Sequence, residues 1–242
     1  MPRPFLTARW ESLILINYTC PANLLEPLVP AGTTLDLWQG DAIVSMVGFL
    51  FQDTRLLGVP IPFHRHFEEV NLRFYVLRET PEGELRRAVV FVRELVPRWA
   101  IATVARVVYN EPYLAVPMDH TVELAESSGG TVRYGWRHEG TDYTLRGTAV
   151  GPAAMAAPGS EAEFITEHYW GYTRQRDGGT LEYQVEHPSW PVWTLEDATF
   201  EGDPAPLYGP AFADVLATPP RSAFLAVGSE IAVHKGRRLE LA

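Results

Sequence analysis

The run Glu68–Leu77 (EEVNLRFYVL) sets four chemically capable side chains at strand spacing. Successive residues of an extended strand point to opposite faces. Glu69, Asn71, Arg73 and Tyr75 therefore share one face, and Val70, Leu72, Phe74 and Val76 share the other. A carboxylate, an amide, a guanidinium and a phenol in a row are costly inside a fold unless they pair or meet ligand and water. In a pocket, Arg73 could clamp a carboxylate or phosphate through two parallel N–H bonds, flanked by Asn71 and Tyr75. Glu69 could act as a general base if burial raised its pKa. On a solvated antiparallel sheet the same alternation carries no function. Spacing alone leaves both readings open.

The histidines offer less. His64 and His66 stand two apart and read as exposed loop residues, while His168 and His187 sit in short aromatic- and proline-rich motifs. A metal site needs three or four converging ligands, and neither a cysteine pair nor an HExxH helix is present, so no metal is expected. His187 is a candidate acid–base group. In His187-Pro188-Ser189-Trp190-Pro191 the two prolines stiffen the backbone. Gly-rich phosphate loops, nucleophile elbows and dinucleotide fingerprints are missing, which disfavours kinase, hydrolase and dehydrogenase chemistry; no cofactor is expected.

These residues must be positioned by short β-like runs. Strands are expected at Ser12–Tyr18, Asp41–Phe51, Glu68–Leu77 and Arg87–Val96, with hairpins at Thr131–Trp136/Tyr143–Val150 and Glu163–Thr173/Leu181–His187. Two last strands fall near Ala223–Val227 and Ile231–His234. Leu56–Phe63 reads as a loop. Pro21–Val29 reads as a short helix with Leu24, Leu25 and Leu28 on one face, and Arg98–Tyr109 as a longer one stopped by Asn110-Glu111-Pro112. One domain over residues 1–242 accommodates them all.

Apolar residues make up 46% of the chain, enough for a sizeable core, and no run reaches the roughly 18 apolar residues of a spanning helix. A net charge of −10 argues against nucleic acid and against an anionic membrane surface. Cys20 is the only cysteine and the N-terminus lacks a signal-peptide pattern, so the expected compartment is the cytoplasm.

Five motifs in order carry a resemblance. They are Glu68–Val76; Ala105-Arg106 followed by Glu111-Pro112-Tyr113; Thr166-Glu167-His168-Tyr169; Val185–Pro191; and Pro220–Gly228, expected as a C-terminal hairpin. Together they resemble the YqjF-like family of uncharacterised bacterial proteins, DUF2071. That family is in turn similar in fold to acetoacetate decarboxylase, a likeness visible in Asn17-Tyr18, Asn23–Pro30 and the stretch Ala102–Tyr109 running into Pro112. The resemblance implies a mainly β (β-rich α+β) fold: an antiparallel, cone-shaped β-barrel with a few short peripheral helices. It also leaves a homo-oligomer as an open option.

In the decarboxylase a lysine pair follows the proline, and one lysine forms a Schiff base. Here Tyr113 and Leu114 follow Pro112, and the only lysine, Lys235, lies in a charged cluster near the C-terminus. Schiff-base decarboxylation is therefore excluded unless Lys235 folds inward. Tyr113 would place a hydroxyl where the amine was. Arg106 could touch ligand or pair outside the barrel, and Arg9 sits one residue from the position of the decarboxylase's substrate-orienting arginine, where a one-residue slip reverses the face. Three functions stay open: a barrel binding a small anionic or carbonyl-bearing compound through Asn71, Arg73, Tyr75 and Arg106; a lysine-independent lyase or hydratase using Glu69 with Tyr113 or His187; or a structural or interaction module with a filled interior.

Overall fold

Long runs of β-branched and aromatic residues make long strands, and the computed structural model, which describes residues 3–60, 62–97, 110–125 and 127–240, is built mainly from them. In the first half lie β1 (Leu6–Cys20), β2 (Thr34–Leu35), β3 (Ala42–Leu56), β4 (Val59–Pro60), β5 (Phe67–Glu79), β6 (Leu85–Val96), β7 (Tyr113–Ala115) and β8 (Met118–Ala125). In the second lie β9 (Gly129–His138), β10 (Thr141–Val150), β11 (Ala154–Met155), β12 (Trp170–Arg174), β13 (Thr180–Glu186), β14 (Pro191–Glu201), β15 (Ser222–Val233) and β16 (Arg237–Arg238). Short helices α1 (Ala22–Leu25), α2 (Glu161–Thr166), α3 (Ala205–Tyr208) and α4 (Pro210–Leu216) complete the described elements, with a single 3₁₀ turn at Glu26–Leu28.

Strand neighbours run β13-β12-β6-β5-β3-β1-β15, and β15 pairs back with β13 through Val185–Val233 and Glu186–Ala232. The result is a strongly curved, largely antiparallel sheet that returns on itself through a two-residue contact. Its β12–β6 and β6–β7 pairings are parallel. Beyond β15 the sheet continues through β14, β10, β9 and β8.

The central strands are buried on both faces. Along β5, Val70, Leu72, Phe74 and Val76 join a core with Tyr134, Trp136 and Leu145 of β9–β10 and with Leu207 and Phe212 of the C-terminal helices. The opposite face carries a second core that includes Phe49, Phe51, Phe67 and Trp190. Glu69 and Asn71 lie on that second face and are 3% and 1% exposed, so the solvated-sheet reading of the polar face falls.

Several sequence expectations change. Glu163–Thr173 is not one strand: α2 occupies its first part and β12 its last. Ser160 accepts a hydrogen bond from the Glu163 backbone N–H while the Glu163 carboxylate accepts one from Gly159, a capping arrangement that starts a helix. The expected C-terminal pair of strands is the single strand β15, bent at Gly228. There φ is +89°, and a Cβ would stand 2.1 Å from the Trp10 carbonyl oxygen, so only glycine fits without displacing β1. Leu56–Phe63 contains the β3–β4 pairing. Leu25 is buried as expected in α1, whereas Leu28 is 37% exposed because the helix tightens into the 3₁₀ turn before reaching it. The expected helix Arg98–Tyr109 lies outside the described residues.

Candidate functional site

Three irregularities decide which side chains enter the ring. On β1, Ser12 takes φ +55° and the register with β3 shifts between Glu11 and Ile14. An extra residue at a bulge reverses the inward–outward order, so both Trp10 and Leu13 face inward. Arg9 points out, 54% exposed and 2.6 Å from Glu11. On β3 the left-handed residue Asp53 does the same, turning Phe49 and Phe51 inward before it and Thr54 and Leu56 after it. On β6 the pairing passes from Leu72–Arg93 to Arg73–Phe91 and skips Val92. Val89, Phe91 and Glu94 thus face the interior, and Arg93 turns away to donate to the Leu207 carbonyl at 3.2 Å. Strand β5 has no such break in this stretch, and Phe67, Glu69, Asn71 and Arg73 all point the same way.

They line a cavity of about 270 Å³. Trp10, Phe49, Phe51, Phe67 and Trp190 give it an aromatic wall, with Trp10 packed edge-on to Phe49 at 5.2 Å. Its polar side is built on three carboxyl groups. Glu69 accepts from Asn71 Nδ2 at 3.0 Å and from the Tyr113 hydroxyl at 3.1 Å. Glu94 is the β-ladder partner of both Asn71 and Tyr113 and hydrogen-bonds the same phenol. Glu111 accepts from the Tyr183 hydroxyl and, at 3.3 Å, from Thr173. Tyr183 reaches it by lying flat over Gly171 on the neighbouring strand, where a Cβ would come within 2.2 Å of the ring.

Burial disfavours charge on these carboxyls. Desolvation pushes Glu69 up to about 7, against the hydrogen bonds from Asn71 and Tyr113, with repulsion from Glu111 adding to the rise and Arg73 opposing it. Glu111 is likewise pushed up to about 7 by burial, and Glu94 rises well above the usual carboxylate range through burial and repulsion from Glu111 and Glu69. The Tyr113 and Tyr183 hydroxyls are held in their neutral, donating form by burial and by the carboxyl groups around them. Arg73 lines the same cavity, yet among the described residues it forms no ion pair and its buried Nε has no hydrogen-bond partner. The buried Asn71 Oδ1, Glu94 Oε2 and Trp10 Nε1 are also without partners.

His187 lines the cavity too, stacked on Trp190 at 4.0 Å, with Nδ1 2.9 Å from the Pro188 carbonyl oxygen. Burial lowers its pKa. His168 is buried beside it and driven down to about 4 by desolvation. Its Nε2 stands 3.4 Å from Asp36, whose close contact at 2.8 Å goes to Arg87. Tyr75 does not reach the cavity: its hydroxyl shares a 2.6 Å hydrogen bond with Ser45, and its ring packs 4.5 Å from His168. It is a packing residue. His64 lines the outer part of the cavity, whereas His66 is exposed and bonded to Gln52. Arg106 lies outside the described residues. Lys235 is exposed and absent from the cavity wall, so no lysine amine meets this site. Among the described residues no group of three His, Cys, Asp or Glu side chains could hold a metal ion.

Comparison with known proteins closes the question of family. The family model of DUF2071, described as an uncharacterized conserved protein, matches residues 7–230. The chain belongs to that family. It is 27% identical over 196 residues to the uncharacterized protein YqjF of Bacillus subtilis, covering 79% of this chain and 75% of YqjF. Among solved structures it is similar to acetoacetate decarboxylase from Legionella pneumophila, with a TM-score of 0.67 and 14% identity over 99% of this chain and 88% of that one. An acetoacetate decarboxylase-like enzyme from Sphingomonas wittichii matches with a TM-score of 0.66 and 14% identity, over 100% and 95% of the two chains. The enduracididine biosynthesis enzyme MppR, solved with a condensation product of pyruvate and imidazole 4-carboxaldehyde, matches at 0.62 and 12% identity, over 98% and 90%. This DUF2071 chain therefore has the acetoacetate-decarboxylase-like fold.

Sequence reasoning missed Glu94, Glu111 and Tyr183. Strict alternation sets Glu94 on the outer face of β6, and only the skipped Val92 turns it inward. Glu111 was in view as part of a helix stop, and its neighbour Tyr113, which does reach the site, was the available hint. Tyr183 carried no local signal beyond its place in a hairpin strand.

Proposed function

We propose that this DUF2071 protein binds a small organic acid or ketone in the cavity, its polar end at Arg73 and its apolar body against the aromatic wall. The carrying observation is Arg73: a half-buried guanidinium lining the cavity, with no carboxylate partner among the described residues and an unpartnered, buried Nε. A buried donor of that kind is costly unless something else accepts from it. The open volume of about 270 Å³ speaks against an interior filled by the chain's own side chains.

A second reading has its own support. Glu69, raised to about 7 and bonded to the neutral Tyr113 hydroxyl, is tuned as a base–acid pair for proton transfer near neutral pH. His187 is less suited to the acid role, since burial lowers its pKa. A lysine-independent lyase or hydratase would abstract a proton next to a carbonyl with Glu69 and stabilise the resulting oxyanion with Tyr113. We also assign the protein to the cytoplasm, in keeping with its lone, buried Cys20, and expect no nucleic-acid partner at its net charge. Among the described residues no helix is long and apolar enough to cross a membrane.

The test is a thermal-shift screen of small carboxylic acids and ketones on wild type and Arg73→Ala. Acids that stabilise only the wild type support the reading; equal stabilisation of both proteins removes Arg73 from it. Borohydride treatment with a keto acid should leave no adduct, and an adduct at Lys235 would reopen Schiff-base chemistry.

A further inference from the structure

The same wall presents a second recognition element, which rests on the acid-binding reading above. Asn71 and Glu94 are opposed across the β5–β6 ladder, so their side chains stand on the same face of the sheet. Both are 1% exposed and line the cavity, and among the described residues nothing donates to the Asn71 Oδ1 and Glu94 Oε2 atoms. Two orphaned acceptors at one spot call for a donor. Arg73 lies two residues further along the same strand face, about 7 Å away at 3.3–3.4 Å per residue. Among the described residues the ionisable groups around the hollow are Glu69, Glu94, Glu111, Arg73, His64, His168, His187 and the phenols Tyr113 and Tyr183. Among these described groups three carboxyls face one guanidinium, and the aromatic wall is a favourable surface for a cation.

We infer that the ligand carries a protonated amine as well as its acid or carbonyl group, the amine seated between Asn71 and Glu94 and the acid at Arg73. A hydroxyl could donate to the same atoms, but only a cation also stabilises the ionised form of these carboxyl groups, pairing with the carboxylate left when a proton departs. The substrate class becomes an amino acid or amino ketone with an apolar body and three or four bonds between its two polar groups.

Isothermal titration with 4-phenylbutanoate and 4-amino-4-phenylbutanoate tests this. The amine-bearing probe should bind wild type at least about tenfold more tightly, the scale of one charge-assisted hydrogen bond. In Glu94→Gln that ratio should fall to about one. A wild-type measurement guards against a variant that fails to fold: in two buffers of different ionisation enthalpy at pH 7, the amine-bearing probe should release protons as the carboxyl groups ionise around it. Equal affinity of the two probes, an unchanged ratio in Glu94→Gln, or no proton release overturns the inference. If 4-phenylbutanoate still binds in an Arg73-dependent way, the acid-binding reading survives that loss. If neither probe binds wild type, both fall.

Discussion

Two sets of buried glutamates sit in one curved sheet and live under opposite electrostatics. Glu182 on β13 is fully buried, and Arg86 (2.8 Å), Arg78 (3.2 Å) and Arg237 (2.8 Å) converge on it while Tyr172 donates at 2.6 Å. Burial pushes its pKa up, but the hydrogen bonds from Tyr172, Arg237 and Arg86 and the Arg86 charge more than offset this, and the net shift is downward. Glu69, Glu94 and Glu111 are buried too, yet amides, hydroxyls and one another surround them, with Arg73 acting only on Glu69 and at a distance, and all three shift upward. The contrast separates scaffold from site. Where folding alone is at stake, the chain supplies each buried carboxylate with cations; around the cavity it leaves charge and hydrogen-bonding capacity uncompensated.

The largest expected effect comes from breaking the scaffold cluster. Glu182→Ala leaves the partly buried Arg78 without its counter-charge and Arg86 with only the exposed Glu84, and should cost about 3–5 kcal/mol in urea denaturation. A loss near zero would mean the cluster is ornamental.

The pH dependence follows next, and the two regions carry opposite signs. Glu69 and Glu111 bind protons more tightly folded than unfolded, so their contribution is fully present below the unfolded value near 4.5 and is lost as pH rises through about 7. The swing should be on the order of 3 kcal/mol for each of the two groups. Glu182 is the reverse: its contribution is present above its unfolded value and disappears as pH falls through its lowered folded value. Stability should therefore decline from mildly acidic to neutral pH in wild type, and the decline should shrink in Glu69→Gln. A flat profile from pH 5 to 8 would contradict the uncompensated state of the cavity.

Gly171→Ala probes the positioning of Tyr183. The new methyl group collides with the phenol ring and should destabilise the protein by about 1–3 kcal/mol, the usual range for overpacking, while shifting the Glu111 titration upward as its hydrogen bond weakens. Smallest is Tyr113→Phe, with a stability loss of about 1 kcal/mol and a further rise in the Glu69 pKa, since the lost donor favoured the charged form.

How much of this was legible in the sequence depends on where the strands stay regular. Along β5 no residue is inserted between Phe67 and Arg73, and reading every second residue found Glu69, Asn71 and Arg73. Alternation fails at bulges: Ser12 turns Arg9 outward and Trp10 inward, and Val92 exchanges Arg93 for Glu94. A bulge has no strong residue code, because the partner strand's register decides it. Tyr75 shows a different limit, since it shares the polar parity but is claimed by Ser45 and His168 across the sheet. The α2 helix was readable in principle from Ser160 and Glu163 at capping spacing, although six residues hold too little periodicity to compete with a strand pattern.

The central claim is that carboxyl groups in the cavity are held protonated into the neutral range. Carboxyl-carbon NMR of glutamate-labelled protein from pH 3 to 9 tests it most directly. Two resonances should titrate near 7, one vanishing in Glu69→Gln and the other in Glu111→Gln. If every glutamate resonance instead titrates around the ordinary value of about 4.5, the cavity is not the poised, uncompensated site described above.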